Sequence, residues 1–310
     1  MTGTDLPMDD HHRTLFDRGT GRPILMSPVR LKRPQLNDSG DDDAAVCPFC
    51  EGHEQHTTPE VDAVRRPDSR PNAPGWRARA FPNLYPAARH HEVIAEGPAH
   101  TIHPAALDST DLGAALTVYR RRIVALEAHD DVACAFLFKN VGSRAGSSIP
   151  HNHSQMLGLP MVPPRLASEL DACNRHGCLH CAEIETAQAE DRLIHRGAHH
   201  VVLAPSTPKL PYETWLLPLD HRAEFLDAAV DADLIATLQV LFGGLQQAFG
   251  GGPFNSYLHR IPEAPFHWHF EAQPRVGQVA ALELGGDMYI NAVTPQHAAR
   301  HWRDALGTRC

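Results

Sequence analysis

The chain has 310 residues, 42% of them apolar and 21% charged, and its formal net charge is −9. These values are typical of a globular protein, and the length suffices for about two domains. The negative charge argues against a nucleic-acid partner, because phosphates are neutralised by a basic face. No apolar run reaches the roughly 18 residues of a membrane span, and the acidic N-terminus lacks the apolar core of a signal peptide. We therefore expect a cytoplasmic protein without a membrane partner.

The predicted elements occur twice in the same order. Each copy has a C-x-x-C pair, then a single histidine, then an H-x-H motif. The residues are Cys47, Cys50, His100, His151 and His153 in the first copy, and Cys178, Cys181, His221, His267 and His269 in the second. The proline-rich stretch 160–164 is the predicted seam, because prolines stiffen and solvate a connection. The predicted halves are therefore residues 1–165 and 166–310.

Each copy also has one helical pattern, between the single histidine and the H-x-H motif. Apolar residues recur every three or four positions over 112–126 and 234–249, and Ser109 and Asp111 are candidate caps of the first pattern. Strand-like runs surround the helices at residues 91–95, 133–140, 199–204 and 213–218. The sequence thus predicts an internally duplicated α+β fold in which each half is strand-rich and has one main helix.

The cysteines and histidines match the ligands of two zinc sites. Two thiolates on one turn can bind one Zn²⁺, and two distant histidines complete a tetrahedral shell. The predicted ligands are Cys47, Cys50, His100 and His151 at the first site, and Cys178, Cys181, His221 and His267 at the second. Both shells are filled, so both sites are predicted to be structural, with iron as the alternative metal at the second. A redox or free-thiol pair is the alternative for a C-x-x-C.

His153 remains after the metal ligands are assigned. If residues 147–155 are extended, His151 and His153 point the same way, so a metal on His151 would hold the backbone beside His153. A neutral imidazole that donates its Nδ1 hydrogen to a carbonyl presents its Nε2 lone pair outward, as attack on a phosphoryl group requires. Gln155, on the same face, can donate an amide hydrogen to a phosphate oxygen. We predict that His153 is the nucleophile and that Gln155 assists it; a buried structural histidine is the alternative.

The second copy has Glu271 at the position of Gln155. A carboxylate there would repel a phosphate and would favour a metal or a structural hydrogen bond. We therefore expect the first half to be catalytic and the second half to support it.

These motifs together resemble the galactose-1-phosphate uridylyltransferase family, the transferase branch of the histidine-triad superfamily. The resemblance covers nearly the whole chain, through MSPVRLKRP, CPFCEG, RAFPNLYP, GPAH, FKNVGSRAGSSIPHNHSQ and FHWHFE. It implies two histidine-triad-like halves with an antiparallel sheet, paired as a homodimer. It also implies ping-pong transfer of a nucleoside monophosphate between a nucleotide-sugar and a sugar phosphate, with His153 nucleotidylated in between.

The resemblance further implies a set of substrate contacts. Arg30 and Arg33 would bind phosphate oxygens, and Asn83 would bind the nucleotide. Asn140 and Ser148, together with Gln155, would contact the phosphates.

The activity expected first is that of a UDP-glucose:hexose-1-phosphate uridylyltransferase. Asn152, where the best-known members have proline, and the C-x-x-C of the second site are closer to the ADP-glucose phosphorylase-like members, so adenylyl transfer is also open. A histidine-triad hydrolase usually has another histidine in place of Gln155. A non-catalytic zinc-stabilised binding protein is a further alternative, but it would not explain why the two halves differ at Gln155 and Glu271.

Overall fold

The computed structural model describes residues 12–32, 47–221, 224–229 and 231–308. In these residues, strands β1 (Arg13–Phe16) and β2 (Pro23–Met26) form a separate hairpin. Ten further strands form one antiparallel sheet. They are β3 (Asp62–Arg65), β4 (Trp76–Pro82), β5 (His90–Glu96), β6 (Cys134–Val141), β7 (His153–Leu159), β8 (Leu193–Arg196), β9 (His200–Leu203), β10 (Thr214–Pro218), β11 (Phe254–His259) and β12 (His269–Pro274).

The internal duplication is visible in the order of the strands. Across the sheet this order is β3-β4-β5-β7-β6-β11-β12-β10-β9-β8, so each half contributes five neighbouring strands in mirrored sequence. The halves meet where β6 pairs with β11, with Asn140 opposite Asn255. The predicted duplicated α+β fold is confirmed, and its two antiparallel halves form a single continuous sheet.

Six α-helices lie in the described residues. They are α1 (Ser109–Glu127), α2 (Pro164–His176), α3 (Leu179–Ala187), α4 (Asp231–Phe249), α5 (Ala281–Gly286) and α6 (Pro295–Leu306). Helix α1 follows β5, and helix α4 follows β10, the equivalent strand of the second half. Both main helices pack on the ten-stranded sheet and on each other. Their apolar stripes, including Leu116 and Ile123 of α1 and Leu238 and Leu241 of α4, are buried in one core, as the helical spacing predicts.

Two local predictions are wrong. The N-cap of α1 is Asp108, because its carboxylate accepts the Asp111 backbone N–H at 2.8 Å, while Ser109 is already helical. Residues 147–155 are not extended throughout, since 148–151 form bends and β7 begins only at His153.

No helix in the described part of the chain is both long enough and apolar enough to cross a membrane.

Candidate active site and metal centres

The first four predicted metal ligands lie together where β5 ends and β7 begins. Their donor atoms are within 4.8 Å of one another. Cys50 Sγ lies 3.3 Å from Nδ1 of His100 and 3.6 Å from Nδ1 of His151, and Cys47 Sγ lies 3.7 Å from the latter. His151 donates its Nε2 hydrogen to the Gly97 carbonyl at 3.1 Å, so its Nδ1 keeps the lone pair that a metal requires.

The second four predicted ligands repeat this geometry where β10 ends and β12 begins, and their donor atoms are also within 4.8 Å of one another. Cys181 Sγ lies 3.6 Å from Nδ1 of both His221 and His267, and Cys178 Sγ lies 3.6 Å from the latter. His267 donates its Nε2 hydrogen to the Pro218 carbonyl at 2.8 Å. The two halves therefore present the same donors in the same arrangement.

Both sets fit a tetrahedral zinc ion. Zn–S bonds of about 2.3 Å and Zn–N bonds of about 2.0 Å at tetrahedral angles require S···N separations of roughly 3.5 Å. The observed separations are 3.3 to 3.7 Å. Burial and the neighbouring Cys47 raise the pKa of Cys50 to about 12, so a cation is needed for both thiols to ionise. Burial lowers the pKa of His151 to about 4, which keeps this imidazole neutral, as a metal ligand must be.

His153 is the first residue of β7, and its imidazole orientation is fixed by the backbone. Its Nδ1 lies 2.6 Å from the carbonyl oxygen of His151. A carbonyl can only accept, so Nδ1 carries the hydrogen and Nε2 carries the lone pair. The buried ring packs edge-on against Phe49, with centroids 5.2 Å apart. Phe49 lies between Cys47 and Cys50, so the turn that carries two predicted metal ligands also contributes a ring that packs against the predicted nucleophile.

A cavity of about 350 Å³ opens beside His153. Gln155 and Ser148 contribute polar groups to its wall, and Phe49 and Phe81 contribute aromatic rings. A concave site with apolar walls and a few convergent polar groups is the usual form of a small-molecule pocket. The structure thus brings the predicted nucleophile and two of its predicted partners to one cavity.

The remaining predicted substrate contacts are placed unevenly around this cavity. Asn83 lines it. Arg30 donates from its guanidinium to the carbonyl of Tyr85 at 2.9 Å, and Tyr85 also lines the cavity, so Arg30 lies beside the wall. Arg33 lies outside the described residues.

Asn140 is not among the described residues that line the cavity. Its side-chain oxygen accepts a hydrogen bond from Asn255 Nδ2 at 2.8 Å, and the same Nδ2 donates to the Ala145 carbonyl at 2.8 Å. Asn255 lies opposite Asn140 in the register of β6 and β11, so the two side chains meet where the halves join at the centre of the sheet. They hold the loop that leads to the H-x-H motif against β11.

The place that corresponds to the cavity is occupied by side chains in the second half. His269 Nδ1 lies 3.2 Å from the His267 carbonyl, the same contact that the first H-x-H motif makes. The ring centroids of His180 and Trp215 lie 4.2 and 5.2 Å from that of His269, which is fully buried. A nucleotide could not reach His269 without displacing these rings.

Glu271 makes structural contacts instead of facing a pocket. Its carboxylate accepts hydrogen bonds from the Tyr257 hydroxyl and the Arg165 guanidinium. Burial alone would raise the pKa of Glu271, but hydrogen bonding to His269 and the charge of Arg165 hold it well below its usual range. Sequence reasoning expected such a hydrogen bond but missed the group around it: the donor atoms of Glu169, His259, His269 and Glu271 lie within 4.8 Å of one another.

Comparison with known proteins gives a consistent set of relatives. The family model "Galactose-1-phosphate uridyl transferase, N-terminal domain" matches residues 77–163. The chain is 31% identical to an ADP-glucose phosphorylase of Arabidopsis thaliana, over 93% of this chain and 91% of the relative. It is 24% identical to a galactose-1-phosphate uridylyltransferase of Thermotoga maritima, over 91% of this chain and 94% of the relative.

Solved structures agree over almost the whole length. The crystal structure of an ADP-glucose phosphorylase from Arabidopsis thaliana with bound ADP-glucose matches with a TM-score of 0.74 and 31% identity, over 94% of this chain and 99% of that one. A uridylyltransferase structure matches with a TM-score of 0.77 and 26% identity, over 95% of this chain and 98% of that one. The chain therefore belongs to the galactose-1-phosphate uridylyltransferase family and is a nucleotidyltransferase of that family.

Proposed function

We propose that the protein transfers a nucleoside monophosphate through a covalent intermediate on Nε2 of His153. In the first step Nε2 attacks the α-phosphorus of a nucleotide-sugar; the P–N bond forms, the bond to the bridging oxygen breaks, and the sugar phosphate leaves. In the second step a phosphate oxygen of the acceptor attacks the same phosphorus and the P–N bond breaks. The observation that carries the proposal is the 2.6 Å contact of Nδ1 with the His151 carbonyl, which places the ring hydrogen on Nδ1 and the lone pair on Nε2.

The residues around His153 have distinct proposed roles. Gln155 donates an amide hydrogen to a non-bridging oxygen, which stabilises charge without adding any. Ser148 and Asn83 line the same cavity and contact the phosphates and the nucleotide. Metal bound by the first Cys/His set supplies rigidity to the backbone that carries His153, and both sets are proposed to be structural zinc sites. Phosphate contacts by Arg30, Arg33 and Asn140 remain proposals that rest on the resemblance.

ADP-glucose is the first candidate donor, with inorganic phosphate as the acceptor. This order is supported by the 31% identity to an ADP-glucose phosphorylase, and the HNHSQ sequence around Asn152 agrees with it. UDP-glucose with a hexose 1-phosphate acceptor, the activity expected first from the sequence, is the second candidate because of the 24% identity to a galactose-1-phosphate uridylyltransferase.

Pairing of two copies stays a prediction. Exposed apolar side chains occur in the β1–β2 hairpin and over residues 282–290, where Leu284 is 75% and Ile290 69% exposed. Arg22 and Asp287 form an ion pair between these two segments. A surface of this kind is one that a second copy would cover.

Intact mass spectrometry tests the covalent step. The protein is incubated separately with ADP-glucose, UDP-glucose and a GDP-sugar, without an acceptor. We expect the mass to increase by one nucleoside monophosphate with ADP-glucose or UDP-glucose, and the label to be discharged by the matching acceptor.

Two variants decide whether His153 carries the label. His153→Ala should abolish the adduct. His129→Ala, at an exposed histidine on the protein surface, should form it as the wild type does. An adduct that survives in His153→Ala, or the absence of any adduct in the wild type, contradicts the proposal.

A further inference from the structure

We infer that His91 is a positioning residue that fixes the amide of Gln155; this inference rests on the proposed role of Gln155 beside His153. His91 lies on β5 and is buried, with 4% of its surface exposed. Neither the duplicated motifs nor the metal ligands include it. Its ring stands between a backbone N–H and the Gln155 side chain, and these two contacts determine its protonation pattern.

The backbone of Ala87 selects the tautomer of His91. The Ala87 N–H donates to Nδ1 of His91 at 2.9 Å, so Nδ1 must offer its lone pair. The hydrogen of the neutral ring is therefore on Nε2. Nε2 lies 3.0 Å from the side-chain oxygen of Gln155 and donates to it.

A second amide near the ring does not compete for this hydrogen. Nδ2 of Asn83 lies 3.3 Å from Nε2 of His91, but both groups carry hydrogens. The Asn83 side-chain oxygen is already an acceptor for the Tyr85 backbone N–H at 2.8 Å, which prevents the Asn83 amide from turning round. Of these two amides, only Gln155 presents an oxygen to the Nε2–H of His91.

The consequence for Gln155 is a fixed direction of donation. An amide has one accepting end and one donating end. With its oxygen bound by His91, the NH₂ group of Gln155 is the end that remains for the cavity that Gln155 and His153 line. A phosphate oxygen entering the cavity would then meet a donor that needs no reorientation, and preorganisation of this kind lowers the barrier to charge development.

The second half lacks this arrangement. By strand register, the residue that matches His91 is Glu213, just before β10, and the residue that matches Gln155 is Glu271. Glu213 is a buried carboxyl group whose pKa is raised by burial and by the charge of Glu271. Neither residue can act as an N–H donor that orients an amide, so the histidine and glutamine pair distinguishes the catalytic half.

Single-turnover kinetics of His153 labelling test the inference. His91→Phe keeps an aromatic ring but removes both nitrogens, so the Gln155 amide can turn over. We expect the labelling rate to fall about 10- to 100-fold, less than the ~10²- to 10³-fold that follows deletion of a preorganised donor, while the dissociation constant of the nucleotide-sugar changes little. His91→Gln, whose amide nitrogen can reach the place of Nε2, should recover most of the rate.

A double-mutant cycle separates positioning from general support of the fold. In a Gln155→Ala background, His91→Phe should change the rate by less than about 3-fold, because the group that it orients is gone. Full additivity of the two effects would overturn the inference.

A measurement that does not depend on activity covers the case in which the wild type forms no adduct and the proposed function itself fails. In protein labelled with ¹⁵N-histidine, NMR correlation spectra should place the His91 hydrogen on Nε2. A hydrogen on Nδ1 would overturn the inference whatever reaction the protein catalyses.

Discussion

Asn152, the residue between the predicted metal ligand His151 and the proposed nucleophile His153, is held by a buried ion pair. Lys139 lies 2.6 Å from the Glu96 carboxylate, and both side chains are buried. The Asn152 side-chain oxygen accepts from Lys139 at 2.9 Å, and its NH₂ donates to Glu96 at 2.9 Å. Proline, which the best-known family members have at this position, could make neither of these hydrogen bonds. The backbone of residues 151 and 152, whose His151 carbonyl orients the His153 ring, is thereby held in place by buried hydrogen bonds.

The ion pair should be sensitive to loss of one partner. Lys139→Met leaves the Glu96 carboxylate buried without its cation, and we expect the free energy of unfolding at pH 7 to fall by about 3–5 kcal/mol. Glu96→Gln combined with Lys139→Met removes both charges and should recover much of this loss. Urea unfolding followed by circular dichroism measures both. Equal destabilisation in the single and double variants would contradict an unpaired charge as the cause.

The same pair gives a pH dependence of defined sign. Burial alone would raise the pKa of Glu96, but the charge of Lys139 and the hydrogen bonds of the site hold it below its usual range. A lowered carboxyl pKa contributes stability above the unfolded pKa of about 4.3, and this contribution is lost as the pH falls through the folded pKa. Wild type should therefore lose stability relative to the Glu96→Gln/Lys139→Met double variant between pH 7 and pH 3, as measured by urea unfolding.

At the scale of single elements, the sequence predicted the helices and strands whose apolar pattern lies within one segment of the chain. The stripes of α1 and α4 and the strands β5, β6, β9 and β10 are confirmed, because their apolar periodicity is contained within each segment. The short strands β3 and β8 have only four residues each and carry little pattern. The start of α1 is misplaced by one residue because Asp108, Ser109 and Asp111 are all residue types that cap helices.

The cap of α1 can be tested directly. Asp108→Ala removes the acceptor of the Asp111 N–H and should lower the free energy of unfolding by about 1 kcal/mol. Ser109→Ala, at an exposed neighbour that is already helical, is the matched control and should change it by less than about 0.5 kcal/mol. If urea unfolding showed that Ser109→Ala lowers the free energy of unfolding more than Asp108→Ala does, Ser109 would be the cap instead.

The site was predictable to the extent that its contacts are close in sequence. The carbonyl that orients His153 is only two residues away, and the sequence argument requires such a carbonyl. His91 is 64 residues from Gln155, and His259 is 90 residues from Glu169. No local pattern connects residues this far apart; only the tertiary fold brings them together, by pairing β5 with β7 in the first case and by placing α2 beside β11 in the second. The same holds for Asn140, whose side-chain oxygen accepts a hydrogen bond from Asn255, 115 residues away.

At the scale of the whole molecule, each half has its own set of two cysteines and two histidines that could hold a metal ion, and metal content should follow this division. We expect about two zinc ions per chain by mass spectrometry of the metal. Cys178→Ser combined with Cys181→Ser should reduce this to about one. Cys173→Ser alters a neighbouring half-buried thiol and should leave about two.

The alternatives have distinct outcomes in the same measurement. Loss of one ion in Cys173→Ser would make this residue a ligand, and loss of both ions in the double variant would mean that the halves do not bind metal independently. A folded protein without zinc would remove the support that His151 is proposed to give His153.

The pairing of β6 with β11 gives the second half a role that does not require access to His269, which the rings of His180 and Trp215 cover. β6 is eight residues long, and part of its length is paired with β11. If the chain were cut within 160–164, that side of β6 would become an uncovered edge with unsatisfied N–H and C=O groups, which is a template for aggregation. The second half thus covers the sheet edge of the half that contains His153: it completes the hydrogen bonding of a sheet that would otherwise recruit other chains.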